Sequence, residues 1–332
     1  MSEPTTPPRP DSPVDPSLTQ HVERPASPVD PIVTGPVERP ASPIDQILTR
    51  HVEHLAALDP IFATHAGLPG HEGRLPDYSP DGWTAKAELR RKTWAELQAA
   101  PVHDDIDRVS LAAVGERFAA DDRLYEAGEW LALFNPIMAP IPGLRAIFDV
   151  MATATQEDWA AIAQRLAAIP AALDGYKASL RVAAGRGLAP AQRQIGVTLR
   201  RAKIQADPAS SYFVSLASGA RPGGLVPPPG LAADLAQGAE AARQAYADAA
   251  GFLESELAPL ARADDAFGRE RYALWLPYFI GAELGLDETY AWGLEELAKT
   301  AAEQDAIAAE IAGVGATVDQ AVAVLDGQPE RR

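Results

Sequence analysis

Between Trp159 and Leu180, seven large apolar residues recur at alternating intervals of three and four: Trp159, Ile162, Leu166, Ile169, Leu173, Tyr176 and Leu180. That spacing keeps one face of an α-helix apolar for about six turns, and a strand with its period of two could not satisfy it. A helix this long and this one-sided has to lie against other helices, so the stripe restricts the chain to helical packings first. Thr155 and Asp158 have the spacing of a capping box at its start. Pro170 falls inside the stripe, which predicts a kink or a tight break that leaves the apolar face in register.

The remainder of the chain reads the same way. Helices are predicted over residues 83–100 and 104–134, carrying Trp94, Leu97, Ile106, Val109, Phe118, Leu124 and Trp130. A further helix over 231–262 places Leu235, Ala239, Ala242, Tyr246, Ala249, Leu253, Leu257 and Leu260 on one face. Near the end, Asp287 stands where an N-cap belongs, and Leu286, Tyr290, Leu294, Leu297 and Ala301 form the stripe of a helix near 287–312. Thr317 and Gln320 open another, over 317–325. Asn135–Gly143 holds three prolines in seven residues and is predicted to be a rigid non-helical crossing. Residues 59–82 read as a loop and 205–230 as a long irregular connector. The fold class expected is all-α, long antiparallel helices joined by Pro/Gly-rich loops.

Residues 9–53 are three copies of a 15-residue unit, RPDSPVDPSLTQHVE, RPASPVDPIVTGPVE and RPASPIDQILTRHVE. In the third, Ser42, Pro43 and Asp45 make a helix start, and Ile44, Ile47, Leu48, His51 and Leu55 continue it. The first two copies carry Pro16 and Pro31 where the third has Gln46, and a proline there costs about 3 kcal/mol in a helix. Twelve of the 30 prolines lie in residues 1–43, so residues 1–41 are expected to be a disordered Pro-rich tail and 42–332 a helical domain.

Charge and composition exclude several functions. At a formal −17 the chain has nothing to neutralise phosphates with, so no nucleic-acid partner is expected. It has no apolar run of the roughly 18 residues a membrane span needs, and no amino-terminal signal pattern, so no membrane partner and a cytoplasmic location are expected. There is no cysteine for thiol or disulfide chemistry. All six histidines lie at or before position 103; HEGRL at 71–75 and HVEH at 51–54 both fall short of the His-Glu-x-x-His pattern that puts two imidazoles on one helical face. Ser218 stands in ASGAR, not in a nucleophile elbow. Arg186, Arg193, Arg200, Arg201 and Lys203 form the one basic cluster, read as a solvated face pairing with acidic neighbours. No catalytic residue and no metal ligand is therefore assigned.

Two of the six tryptophans and three of the eight tyrosines fall in Gly268–Glu303. There GRERYALWLPYFIGAELGLDETYAWGLEEL (268–297) resembles the bacterial family called domain of unknown function 885, through Gly268, Glu270, Tyr272, Gly293 and Glu296. DPIFATHAGLPGHEGRLPDYSPDG (59–82) is similar to that family's opening loop, and TQEDWAAIAQRLAAIPAALDGYKASL (155–180) to its central helical hairpin. Members resemble helical zinc metallopeptidases whose second half carries the His-Glu-x-x-His site. The resemblance implies that this chain is the amino-terminal half of such a hydrolase, shaping a channel for a peptide-type substrate and inactive alone. Zinc and a carboxy-terminal catalytic half are implied for a complete member. Glu270, Tyr272, Tyr290, Trp292 and Glu296 are the substrate-channel candidates. The alternative expectation is a stand-alone acidic helical module that binds a partner protein. On the first reading the aromatic surface of the last helices exceeds what one layer can cover, so part of it is expected to face solvent; on the alternative the helices close on themselves and bury these rings.

Overall fold

A computed structural model describes residues 39–328. The expectations for the tail over 1–38, including Pro16 and Pro31, lie outside the described residues. Those described form an all-α fold with no β-strand; an isolated bridge joins Ala191 to Arg262.

The first helix, α1 (Pro43–Leu58), starts as its sequence requires: the Ser42 hydroxyl accepts the Asp45 amide, the Asp45 carboxylate accepts the Ser42 amide, and Pro43 takes the first helical position. The 59–82 segment is not all loop. Asp59 caps a short helix, α2 (Pro60–His65), with its carboxylate on the Phe62 amide, before the chain loops to Ser79. Ser79 caps α3 (Pro80–Ala99), and Asp104 caps α4 (Asp105–Glu126). That helix ends eight residues earlier than the apolar pattern suggested, because Gly128 turns the chain with φ +78. Val109, counted among its apolar positions, faces solvent.

The proline-rich crossing also needs correction. Residues 135–139 are non-helical, but α5 (Pro140–Ala146) begins inside the segment. Pro140 and Pro142 sit in its first turn, where backbone N–H groups have no intrahelical acceptor and a missing donor costs nothing.

The 30-residue α6 (Gln156–Gly185) opens on the Thr155–Asp158 capping box and runs through Pro170 without a break. All seven residues of its stripe are buried. It packs along α9 (Pro229–Phe252), whose Leu235, Ala239, Ala242, Tyr246 and Ala249 are buried too. The two approach closely at Gly238: a Cβ there would stand 2.9 Å from the Leu166 Cβ and 3.0 Å from the Ala163 carbonyl oxygen. After Phe252 the helix relaxes into a π turn (253–257) and a 3-10 turn (258–260), which rotates Leu260 out of the predicted face into solvent.

Helix α7 (Gln192–Ala206) carries four of the five basic residues, of which two pair with acidic neighbours, Arg193 with Asp265 and Lys203 with Glu254 at 3.0 Å, whereas Arg201 donates to the Pro136 carbonyl. The connector at 205–230 is more ordered than the sequence suggested. It contains α8 (Tyr212–Ser218), which inserts Phe213 into the core between Phe148 and Tyr246. Buried tyrosines fasten the loops to this core: the Tyr176 hydroxyl donates to the Leu133 carbonyl at 2.6 Å, and Tyr246 to that of Ile141 at 2.5 Å.

The last three helices differ in kind. They are α10 (Arg269–Ile280), α11 (Leu286–Ala312) and α12 (Val318–Asp326). No residue of α10 is buried; α11 buries only Ala308 and α12 only Ala321. α10 lies on α4, whereas the main neighbour of α11 is α12. Asp287 is not the N-cap of α11: that position is Gly285, and the Asp287 carboxylate instead takes two hydrogen bonds from Arg269, at 2.8 and 2.9 Å.

Candidate functional site

The sequence pattern did not foretell α10, because Pro277 breaks its periodicity. Gly268 (φ +92) and Gly281 (φ +67) bracket it, and each takes a backbone conformation that other residues reach only with strain. Pro277 stands in the last turn of α10, which ends at Gly281, and has no N–H to give the Ala273 carbonyl.

Two polar contacts fasten α10 to α4 and the turn after it. At one end, the buried Glu129 carboxylate accepts from Arg271 Nε and Nη2, each at 2.7 Å, and from Trp275 Nε1 at 2.8 Å. At the other, the Arg117 guanidinium donates to the carbonyls of Pro277 and Tyr278, at 2.9 and 2.5 Å. These are carbonyls of the helix C-terminus, where a cation is also favoured by the helix dipole. Between them, Trp130 meets Trp275 and Tyr278 edge-on and stacks on Trp83, whose ring neighbours Tyr78. An aromatic path therefore runs from the core out to Phe279, which is largely exposed. Burial pushes the nearby Asp121 carboxyl up, with Arg90 opposing it, and also raises Tyr278.

The five channel candidates all lie on this outer layer. Tyr272 is 53%, Tyr290 70% and Trp292 60% exposed. Glu270 is exposed, and Glu296 pairs with Lys299 at 2.8 Å. Residues two apart on a helix point about 200° from one another. Trp292 and Glu296 thus share a face of α11 while Tyr290 points to the other side; Glu270 and Tyr272 diverge likewise on α10. Among the described residues, no hydrogen bond or ring contact joins the five to one another. A cleft of about 340 Å³ is lined by Arg123 of α4, Leu274, Leu276 and Pro277 of α10, and Glu283 and Leu284 of the following loop, and by none of the five.

On the far side of the core, sequence reasoning missed Arg165, an arginine on the flank of the α6 stripe. It is fully buried and ties α2 to the loop after it: Nε donates to the Arg74 carbonyl, and Nη2 to the carbonyls of Pro60 and His71 and to the Thr64 hydroxyl. Burial lowers its pKa to about 10, against the opposing pull of Glu72. A lone arginine in a helical pattern carries no signal of such a role. Among the histidines, His71 hydrogen-bonds Arg74 and His51 hydrogen-bonds Thr93. Among the described residues no group of three or more histidine, aspartate or glutamate side chains could hold a metal ion, so the donor set does not fit zinc. No described helix is long and apolar enough to cross a membrane.

These features define a helical-bundle protein with a tightly packed core and an outer carboxy-terminal layer left largely uncovered. The chain belongs to the bacterial family of proteins of unknown function DUF885, whose pattern matches residues 60–332. Its fold is similar to the crystal structure of the "putative lipoprotein from Colwellia psychrerythraea", with a TM-score of 0.68 at 13% identity. The similarity covers 88% of this chain and 55% of that one, so this chain spans little more than half the length of its structural neighbour. No curated protein matches the sequence.

Proposed function

We propose that this chain is the amino-terminal half of a metallopeptidase-like hydrolase, shaping one wall of a channel for a peptide-type substrate, with the zinc ligands supplied by a further segment. The carrying observation is the uncovered layer of α10 and α11. A helix bundle stabilises itself by burying apolar stripes, yet Tyr290, Leu294 and Leu297 remain in solvent. Family membership and the greater length of the structural neighbour support this reading.

Within it, the chain's own residues have positioning work. Glu129 and Arg117 hold α10 at a set angle on α4, which presents Tyr272 on its outer surface. Trp292 and Glu296, one turn apart, offer an aromatic face and a carboxylate to a passing peptide. Catalysis of bond cleavage is not assigned to any of them.

The test is to express the chain alone and together with a family segment carrying His-Glu-x-x-His, and to assay both against a fluorogenic peptide library. Cleavage by the pair and none by the chain alone is the expected result. In the pair, Trp292→Ala should raise KM with little change in kcat, as loss of a substrate contact would. A pair that assembles but cleaves no peptide would overturn the proposal.

A further inference from the structure

The cleft between α4, α10 and the loop after α10 holds two charges that the fold leaves unused. Its lining contains one guanidinium, Arg123, and one carboxylate, Glu283, and every other lining residue is apolar. Among the described residues, neither charged side chain makes a hydrogen bond or an ion pair, with the other or with any neighbour. Glu116, two turns earlier on α4, does not take Arg123, because Arg117 holds both of its oxygens, at 2.6 Å.

The walls are set by contacts outside the cleft. Glu129 and Arg117 fasten α10 to the body. Gly281 (φ +67) turns the following loop back toward α4, and a Cβ built on it would stand 3.9 Å from Arg117 Nη2. A wall already in place spares a ligand part of the ordering cost of binding.

Volume and charge together select the ligand. Small-molecule sites begin at about 300 Å³, so a cleft of about 340 Å³ suits a small ligand, and its lining suits an aliphatic one. A fatty acid would satisfy Arg123 but bring a second carboxylate toward Glu283, and an aliphatic amine would bring its ammonium toward Arg123. A molecule carrying both charges meets a partner at each. Since Arg123 and Glu283 do not reach one another, those charges belong at separate ends of the ligand. A free amino acid holds them on one carbon, whereas the two residues of an extended dipeptide span about 7 Å. We propose that this cleft binds an aliphatic dipeptide with free ends. Its carboxylate lies on Arg123, its ammonium on Glu283, and its side chains on Leu274, Leu276 and Leu284.

The site uses this chain alone and needs no zinc-bearing segment, so it can fail while the hydrolase reading stands, and the reverse. The full chain is titrated by calorimetry and by saturation-transfer NMR with leucyl-leucine, its N-acetyl form, its C-terminal amide and free leucine. Leucyl-leucine should saturate one site. Blocking either end should weaken binding about fivefold or more, as loss of a charge-assisted hydrogen bond would, and free leucine should bind more weakly than the dipeptide. Arg123→Gln should bind the free dipeptide and its amide alike while still preferring the free amine; Glu283→Gln should show the converse. Both residues are exposed, and a loss of fold would remove both preferences together, so the pattern separates lost contact from damage. No saturable binding by the native chain, equal affinity for the blocked dipeptides, leucine bound as tightly as leucyl-leucine, or unchanged end preferences in the two variants would each overturn the proposal.

Discussion

Glu129 and Arg271 meet across 142 residues of sequence in a two-pronged ion pair, with the carboxylate 2% and the guanidinium 21% exposed. With the Trp275 indole N–H on the same carboxylate, this is the main polar tie between α10 and the body. Glu129→Ala strands two donors at a largely buried position and should cost about 2–3 kcal/mol. The exposed pair Arg50–Glu96 is the comparison, and Arg50→Ala should change stability by less than about 1 kcal/mol. Urea unfolding followed by tryptophan fluorescence measures both, and equal effects would contradict the role given to Glu129.

Glycine at 238 is a packing requirement. Gly→Ala inside a helix ordinarily gains up to about 1 kcal/mol. At Gly238 the new methyl would press on Leu166 and on the Ala163 carbonyl, so Gly238→Ala should destabilise the α6–α9 contact by about 1–3 kcal/mol. Gly251, on the same helix with nothing within 4 Å of a built Cβ, should behave in the ordinary way. Thermal melting of the two variants distinguishes them by the sign of the shift.

His51 makes stability depend on pH. Burial is the main cause that lowers its pKa, followed by the charges of Arg90 and His54; Thr93 and Phe118 pack against the ring. With the folded pKa below 6.5, the unfolded chain binds the proton more readily. The stabilisation is therefore present above pH 6.5 and lost as pH falls through the folded value. Unfolding free energies between about pH 7 and pH 5 should fall more steeply for the native chain than for His51→Gln. Parallel profiles would show that His51 contributes nothing to the slope.

The outer layer should be visible to small probes. Acrylamide should quench Trp292 far more than Trp159, which is 6% exposed; single-tryptophan variants report each. A dye that fluoresces on apolar surface should bind the chain, and Leu294→Asp with Leu297→Asp should remove much of the signal. Protection of Trp292 comparable to that of Trp159 would mean that α11 is covered in solution.

The sequence by itself determined the elements whose causes are local. The α6 stripe, the Ser42 and Thr155 capping boxes and the buried face of α9 were legible because caps and periodicity act within a few residues. Tertiary structure decided the rest. The stripe of α11 is as regular as that of α6, yet one is exposed and the other buried. Periodicity shows that a helix has an apolar face; what covers that face depends on the neighbours the fold supplies. The same reason hid Glu129 and Arg165, single charged residues whose partners lie roughly 90 to 140 positions away and exist only once α10 and the loop after α2 are in place.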